Sequence, residues 1–326
     1  MKIYITRRIP EIGISMLKDK GYEVEVNPKD RVLSKSELVK ILKNNSYHAV
    51  LCLLTDKIDG DVFDAASNAK IFANYAVGFD NIDLEAAKKK GVMVSNTPGV
   101  LSEAVAEHSV ALMLAVARRI AESDKFARAG KYKGWAPMLL LGSGFFGKTV
   151  GIIGLGRIGT KTAHIASQGF GAKVIYYDIK RNEDFEKEFP SGSIEFKSSI
   201  DEVLKGADFV SVHLPLTEQT KHIINKEKLA TMKPTAYLVN TSRGPIIDET
   251  ALVEALKNKI IKGAALDVFE FEPKISKGLF KMDNVVLTPH TASATEEARS
   301  KMAEVAAQNI IEALEGRTPP NLIVSH

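Results

Sequence analysis

The chain has one cysteine, one tryptophan and no apolar run approaching 18 residues. Cys52 has no second cysteine to pair with, so an internal disulfide is excluded. Its place in the apolar run 49–54 marks it as a small buried hydrophobe. Without a long apolar stretch there is no candidate membrane helix, and the opening MKIYITRRI is a strand pattern too brief for a secretory leader. Lysines are many but scattered, no segment combines dense Lys/Arg with interleaved aromatics, and the net charge is only +4. Neither nucleic acid nor a membrane is therefore an expected partner, and no metal is called for. These absences describe a reduced, cytoplasmic protein. What remains is ordinary for a globular chain: 326 residues, 45% apolar and 26% charged, enough for two cores.

One stretch organises the rest. Residues 149–178 read TVGIIGLGRIGTKTAHIASQGFGAKVIYYD. A β-rich run is followed by Gly154, Gly156 and Gly159 in the pattern G-x-G-x-x-G, then by an amphipathic stretch over 157–168. A second β-rich run, 173–177, ends at Asp178. Strand, glycine turn, helix and strand within roughly 30 residues is the context that a dinucleotide fingerprint requires. The glycines permit a tight turn, close approach of backbone to a pyrophosphate, and close packing of helix on strand. The phosphates would then meet unpaired amides at the positive end of the helix. Asp178, nineteen positions after Gly159, falls where a carboxylate can accept hydrogen bonds from a ribose.

Before this stretch, strands are expected at 2–6, 22–27, 49–54, 71–75 and 92–95, with helices at 12–18 and 83–90. Ser34-Lys35-Ser36-Glu37 is a capping box that opens a further helix carrying Leu38, Ile41 and Leu42. Asn96-Thr97-Pro98-Gly99 is a break, followed by a long helix over 102–120 and an irregular glycine-rich stretch, 130–148, that holds Trp135. Trp135 suits core packing or a pocket wall equally. After the fingerprint, strands are expected at 209–213, 236–240, 263–267 and 285–288, with a helix at 248–258. A last helix over 296–315 precedes a polar tail. Alternating strand and helix implies parallel doubly wound sheets.

Ligands of such sheets bind beyond the carboxyl ends of the strands. Thr241-Ser242-Arg243-Gly244 follows one late strand, Val268-Phe269-Glu270-Phe271-Glu272-Pro273 the next, and Pro289-His290-Thr291-Ala292-Ser293 the last. An arginine, one of two glutamates and a histidine thus reach one rim. A cation to hold a carboxylate, a proton donor matched to neutral pH and an acid to support the charged imidazole are what hydride transfer to a 2-oxo acid needs. Of the two acids, Glu270 reads as solvated.

Six stretches in order carry a family resemblance: AVGFDNID (76–83), GIIGLGRIG (151–159), HLPLTEQT (213–220), NTSRGPIID (240–248), ALDVFEFEP (265–273) and TPHTASAT (288–295). Over essentially its whole length the chain resembles the D-isomer-specific 2-hydroxyacid dehydrogenases. The resemblance implies Arg243 as substrate-binding residue, Glu272 as partner of the histidine and His290 as acid/base. It implies that the amides of Val77 and Gly78 hold the substrate carboxylate, with Leu53 and Leu54 beside its tail. It places Gly154, Gly156, Arg157, Ile158, Gly159, Asp178, His213, Pro215, Thr220, Thr241, Ser242, Asp267 and His290 around NAD, with Asp267 orienting the nicotinamide or, read from the residues alone, capping a helix. It also implies a homodimer through the 98–120 helix region.

The resemblance further implies an α/β chain of two doubly wound parallel-sheet domains. A smaller flavodoxin-like substrate domain would be discontinuous, 1–97 with 289–326, and a Rossmann cofactor domain would span 98–288, the cleft lying between them. Asp178 should favour NADH over NADPH by repelling a 2′-phosphate, with Lys180 and Arg181 near enough to soften this. Leu53 and Leu54 stand where phosphate-binding members tend to carry an arginine, so a small uncharged tail is expected: glyoxylate or hydroxypyruvate first, then pyruvate as in D-lactate dehydrogenases, and last an NAD-sensing co-regulator. One departure stands out. The family usually has glycine where Ala292 stands, and its loss removes easy access to positive φ, so an altered turn after His290 is expected.

Overall fold

Short β-branched and apolar runs become strands in this chain because both faces of each sheet are covered by helices. The computed structural model describes residues 1–324. Its strands are β1 (Lys2–Ile5), β2 (Glu23–Val26), β3 (Ala49–Leu53), β4 (Ile71–Tyr75), β5 (Met93–Ser95), β6 (Thr149–Ile153), β7 (Lys173–Tyr177), β8 (Ile194–Phe196), β9 (Phe209–Val212), β10 (Tyr237–Asn240), β11 (Gly263–Leu266), β12 (Val285–Leu287) and β13 (Leu322–Val324). The chain divides into two compact units, one of Met1–Leu101 with the segment from Ala294 onward, the other of Ser102–Ser293. Among the described residues no helix is long and apolar enough to cross a membrane.

The first unit is a six-stranded sheet ordered β13-β5-β4-β3-β1-β2. β1 to β5 pair in parallel, and β13 is added antiparallel to β5. β3 and β4 are buried on both faces. The capping box at Ser34 forms as read, Glu37 N–H donating to the Ser34 hydroxyl. Asp83 caps the helix Leu84–Lys90, and Gly91 ends it in left-handed backbone. The helices Glu11–Asp19 and Glu296–Leu314 meet at Gly13, where a Cβ would lie 2.7 Å from the Ala303 carbonyl oxygen. The expected polar tail contains β13. Its three apolar residues find their order through pairing with β5, a long-range contact that leaves no local signature.

The second unit is a seven-stranded sheet ordered β12-β11-β10-β9-β6-β7-β8, parallel throughout. The order reverses between β6 and β9, which is the switch point where open α/β sheets bind ligands. Leu112, Met113, Val116 and Ala117 of the helix Ser102–Ala117 pack with Val150, Ile152 and Tyr176 in the core on one face of the sheet. The expected helix over 102–120 stops at Ala117. Arg119 turns left-handed (φ 55°) and pairs through Nε and Nη2 with Glu122, both at 2.7 Å, and a second helix, Ile120–Arg128, begins. That helix buries no residue.

Candidate active site

β6 leads into the glycine turn. Gly154 has φ 94°, its N–H donates to the Tyr177 carbonyl at 2.9 Å, and a Cβ there would lie 2.7 Å from the carbonyl oxygen of His213. A Cβ at Gly159 would collide with the Gly154 carbonyl, while one at Gly156 would meet no protein atom within 4 Å. Gly154 and Gly159 are thus demanded by the fold, and Gly156 leaves room for a ligand to approach the backbone. Gly156 supplies no capping side chain to the helix Arg157–His164, so its first amides face the turn as anion donors. Asp178 closes the arrangement, one carboxylate oxygen accepting from Leu155 N–H at 2.7 Å and the other from Ile179 N–H at 2.6 Å. His213 follows β9. Its Nε2 is buried without a protein partner, and burial pushes the ring down to about 3, so it stays neutral. The glycine cradle and this orphaned ring nitrogen fit a dinucleotide.

The turn after β10 is built by Asn240. Its side-chain oxygen accepts from Ser242 N–H (3.0 Å) and Oγ (2.7 Å), and its amide donates to the Arg243 carbonyl at 2.9 Å. The Thr241 hydroxyl is buried against Ser109 Oγ, 2.8 Å away. Arg243 Nη1 donates to the Ser242 carbonyl. A Cβ on Gly244 would collide with the peptide between Phe269 and Glu270. The Arg243 turn and the loop after β11 are therefore stacked backbone on backbone, which only glycine allows.

Asp267, fully buried, directly follows β11. Its Oδ1 accepts from Thr288 Oγ1 (2.6 Å) and Thr291 N–H (2.8 Å), its Oδ2 from Ala292 N–H (2.8 Å), and His108 Nε2 lies 3.5 Å away. Burial works against the charge, but these hydrogen bonds outweigh it and hold the carboxyl below the usual carboxylate range. The anchored turn carries His290, whose N–H donates to the Asp267 carbonyl at 2.8 Å and whose φ is 55°. His290 Nδ1 meets Glu272 Oε2 at 3.0 Å, while Glu272 Oε1 accepts from Phe269 N–H at 3.0 Å. The carboxylate can only accept, so Nδ1 carries the proton and Nε2 is the nitrogen left for chemistry.

Several expectations need amending. Glu270 is not solvated: its carboxylate is about one-tenth exposed and meets His222 Nε2 at 2.6 Å. Trp135 is 83% exposed and so is no part of the core. Within its own turn the Thr220 hydroxyl donates to the Pro215 carbonyl and accepts from Thr217 N–H, which leaves one lone pair for a further donor. The turn after His290 needs no glycine. The left-handed residue is His290 itself, and Ala292 keeps a negative φ while its N–H serves Asp267. Asn240 was missed, although an Asn two residues before a Ser is a common turn builder.

Leu53, Leu54, Val77 and Gly78 belong to the first unit. There Asn81 Nδ2 donates to the carbonyls of Leu53 (3.1 Å) and Asp56 (3.0 Å), Asn74 Nδ2 to that of Gly78 (2.9 Å), and Asn96 Nδ2 to that of Val77 (2.8 Å). Three asparagines thus hold the carbonyls of the two loops. Among the described residues, neither Val77 nor Gly78 N–H donates within the protein.

Residues 110–292 match the family model described as D-isomer specific 2-hydroxyacid dehydrogenase, NAD binding domain. A glyoxylate reductase of Thermofilum pendens is 52% identical over 324 residues, spanning 99% of this chain and 94% of its own. The crystal structure of the TT0316 protein from Thermus thermophilus superposes with a TM-score of 0.92 at 42% identity, covering 99% and 100% of the two chains. An NADPH-dependent glyoxylate/hydroxypyruvate reductase from Sinorhizobium meliloti, solved with NADP and malonate, gives 0.84 at 28% identity and covers 99% and 97%. With a family model over its nicotinamide-binding half and a relative at this identity across nearly all of it, the chain belongs to the D-isomer-specific 2-hydroxyacid dehydrogenase family.

Proposed function

We propose that the protein reduces glyoxylate, or a 2-oxo acid of similar size, to the D-2-hydroxy acid with a reduced nicotinamide dinucleotide. The observation that carries this reading is the His290–Glu272 pair at 3.0 Å, on the rim of the sheet whose switch point holds the glycine cradle. When bound, the nicotinamide supplies the hydride. Arg243 holds the substrate carboxylate and polarises its carbonyl. His290 Nε2 gives the proton that the developing alkoxide requires, and Glu272 supports the imidazolium before that transfer. Gly154, Gly156, Gly159 and Asp178 would hold the dinucleotide, and the amides of Val77 and Gly78 are assigned to the substrate carboxylate. Asp267 holds the His290 turn. A turnover assay with glyoxylate, hydroxypyruvate and pyruvate tests the reading. Activity should be highest with glyoxylate or hydroxypyruvate, and no turnover of any 2-oxo acid would overturn it.

NADH is the proposed cofactor. Asp178 would accept from a 2′-hydroxyl and repel a 2′-phosphate. Of the two nearby cations, Arg181 is held by Glu186 through Nε (2.9 Å) and Nη2 (2.6 Å), with the Tyr176 hydroxyl donating to the same carboxylate. Equal or better kcat/KM with NADPH would refute this assignment. A homodimer through the 98–120 region is proposed, with the exposed apolar residues of 132–146 continuing that surface. Ala111 and Ile120 are exposed and Leu114 half-buried, and Tyr132, Trp135, Met138, Leu141 and Phe146 are exposed beyond them. Sedimentation of the wild type against Trp135→Ala checks it: a dimer that persists unchanged would exclude this surface.

A further inference from the structure

Glu249, 3% exposed, is a buried carboxylate that the proposed chemistry does not use. It opens the helix Glu249–Lys257, where the helix dipole favours an anion. Its Oε2 accepts from Glu270 N–H at 2.9 Å and its Oε1 from Ser276 N–H at 2.9 Å. These two amides bracket the loop that carries Glu272. Glu270 reciprocates: its Oε2 accepts from Glu249 N–H at 3.1 Å, and its Oε1 meets His222 Nε2 at 2.6 Å. His222, itself left-handed with φ 50°, donates its own N–H to the Pro245 carbonyl at 2.8 Å. That carbonyl lies two residues past Arg243, on the turn whose Gly244 rests against the Phe269–Glu270 peptide. One buried carboxylate thus closes a network that joins the Arg243 turn to the Glu272 loop.

We infer that Glu249 is a positioning residue: by bracketing residues 270–276 it sets where the Glu272 carboxylate meets His290. The inference rests on the proposed roles of Glu272 and His290. The residue type follows from the donors it faces. An ionised carboxylate accepts at both oxygens, whereas glutamine must turn an amine toward one of the two N–H groups and push it away. A loop released at one end can carry Glu272 off its line with His290 Nδ1 while the sheet below stays intact. The titratable groups packed on the His290 turn are Glu272, Asp267 and, through Thr288, His108.

The test compares glyoxylate reduction as a function of pH in the wild type, Glu249→Gln, Glu272→Gln and the double variant, with NADH affinity from fluorescence titration. Glu249→Gln should lower kcat by about 10- to 100-fold, the scale of a small misplacement of a reacting group, with NADH affinity within about twofold. Its alkaline limb should move to lower pH, as in Glu272→Gln, and the double variant should move no further than Glu272→Gln alone. A wild-type limb in Glu249→Gln, or a double variant that sums the two shifts, would overturn the inference. An unmoved limb in Glu272→Gln would instead refute the roles on which it rests. If Glu249→Gln does not fold, Glu249→Asp keeps the charge but falls one methylene short. It should shift the limb in the same direction, and a folded Glu249→Asp with the wild-type profile would equally overturn the inference.

Discussion

At Gly154 and at His290 the chain takes positive φ, each time just past the carboxyl end of a parallel strand, and it meets the steric problem in opposite ways. At Gly154 it drops the side chain, because a Cβ would press on the His213 carbonyl. At His290 the side chain is kept, and the backbone is held by Asp267: its carbonyl accepts from residue 290 N–H and its carboxylate from 291 and 292 N–H. A left-handed residue other than glycine costs about 1–2 kcal/mol, and each hydrogen bond to a charged carboxylate contributes about 1.5–3 kcal/mol. The anchor therefore outweighs the strain. The nucleotide turn can be glycine, whereas the turn that presents the His290 imidazole is held by the buried acid beneath it.

The comparison breaks most visibly at His290→Asn. Asparagine tolerates left-handed backbone, so the fold and NADH binding should persist. Reduction should fall about 10²- to 10⁴-fold for want of the proton donor. Steady-state kinetics beside a melting curve separates the two effects, and a variant that unfolds would show that the side chain, not Asp267, holds the turn. Gly154→Ala should do the reverse. It should cost more than about 2 kcal/mol of stability and weaken NADH binding, because the methyl group meets backbone that cannot move aside. Unchanged denaturation and affinity would remove the steric account of that glycine.

Much of this was legible because it is local. Ser34 and Glu37 sit three apart, Asp83 and Gly91 bracket a helix, and the glycines of the nucleotide turn stand at fixed offsets from a β-rich run. What stayed hidden is settled between distant segments. β13 exists through its pairing with β5; the break at Arg119 is local, but rests on a backbone conformation its residue type does not advertise. Glu270 could not be told from a solvated acid, because His222 lies 48 positions away. The expected trouble at Ala292 was misplaced by two residues: the unusual backbone falls on the histidine.

Smaller effects sharpen the contrast. His213 has its ring pushed down to about 3 by burial, against an ordinary value of 6.5. Between those values the unfolded chain binds the extra proton, so stability is intact above about pH 6.5 and falls as pH drops, by at most about 1.4 kcal/mol per pH unit from this site. His213→Leu should flatten that acid limb in urea titrations, and an unchanged slope would mean that the ring is protonated in the fold. Ala292→Gly should have the least effect. It restores the residue usual in the family, yet φ there is already negative. Stability should fall by about 0.4–1 kcal/mol through the freer unfolded chain, with kcat unchanged. A gain in activity would mean that the turn is strained at Ala292 after all.

The most direct test of the central claim is the pH dependence of glyoxylate reduction in Glu272→Gln. Reduction needs His290 protonated, and the carboxylate 3.0 Å from Nδ1 favours that form. Removing its charge should move the alkaline fall in rate to lower pH while NADH binding is retained. A profile that coincides with that of the wild type would show that the pair, however well placed, does not carry the proton.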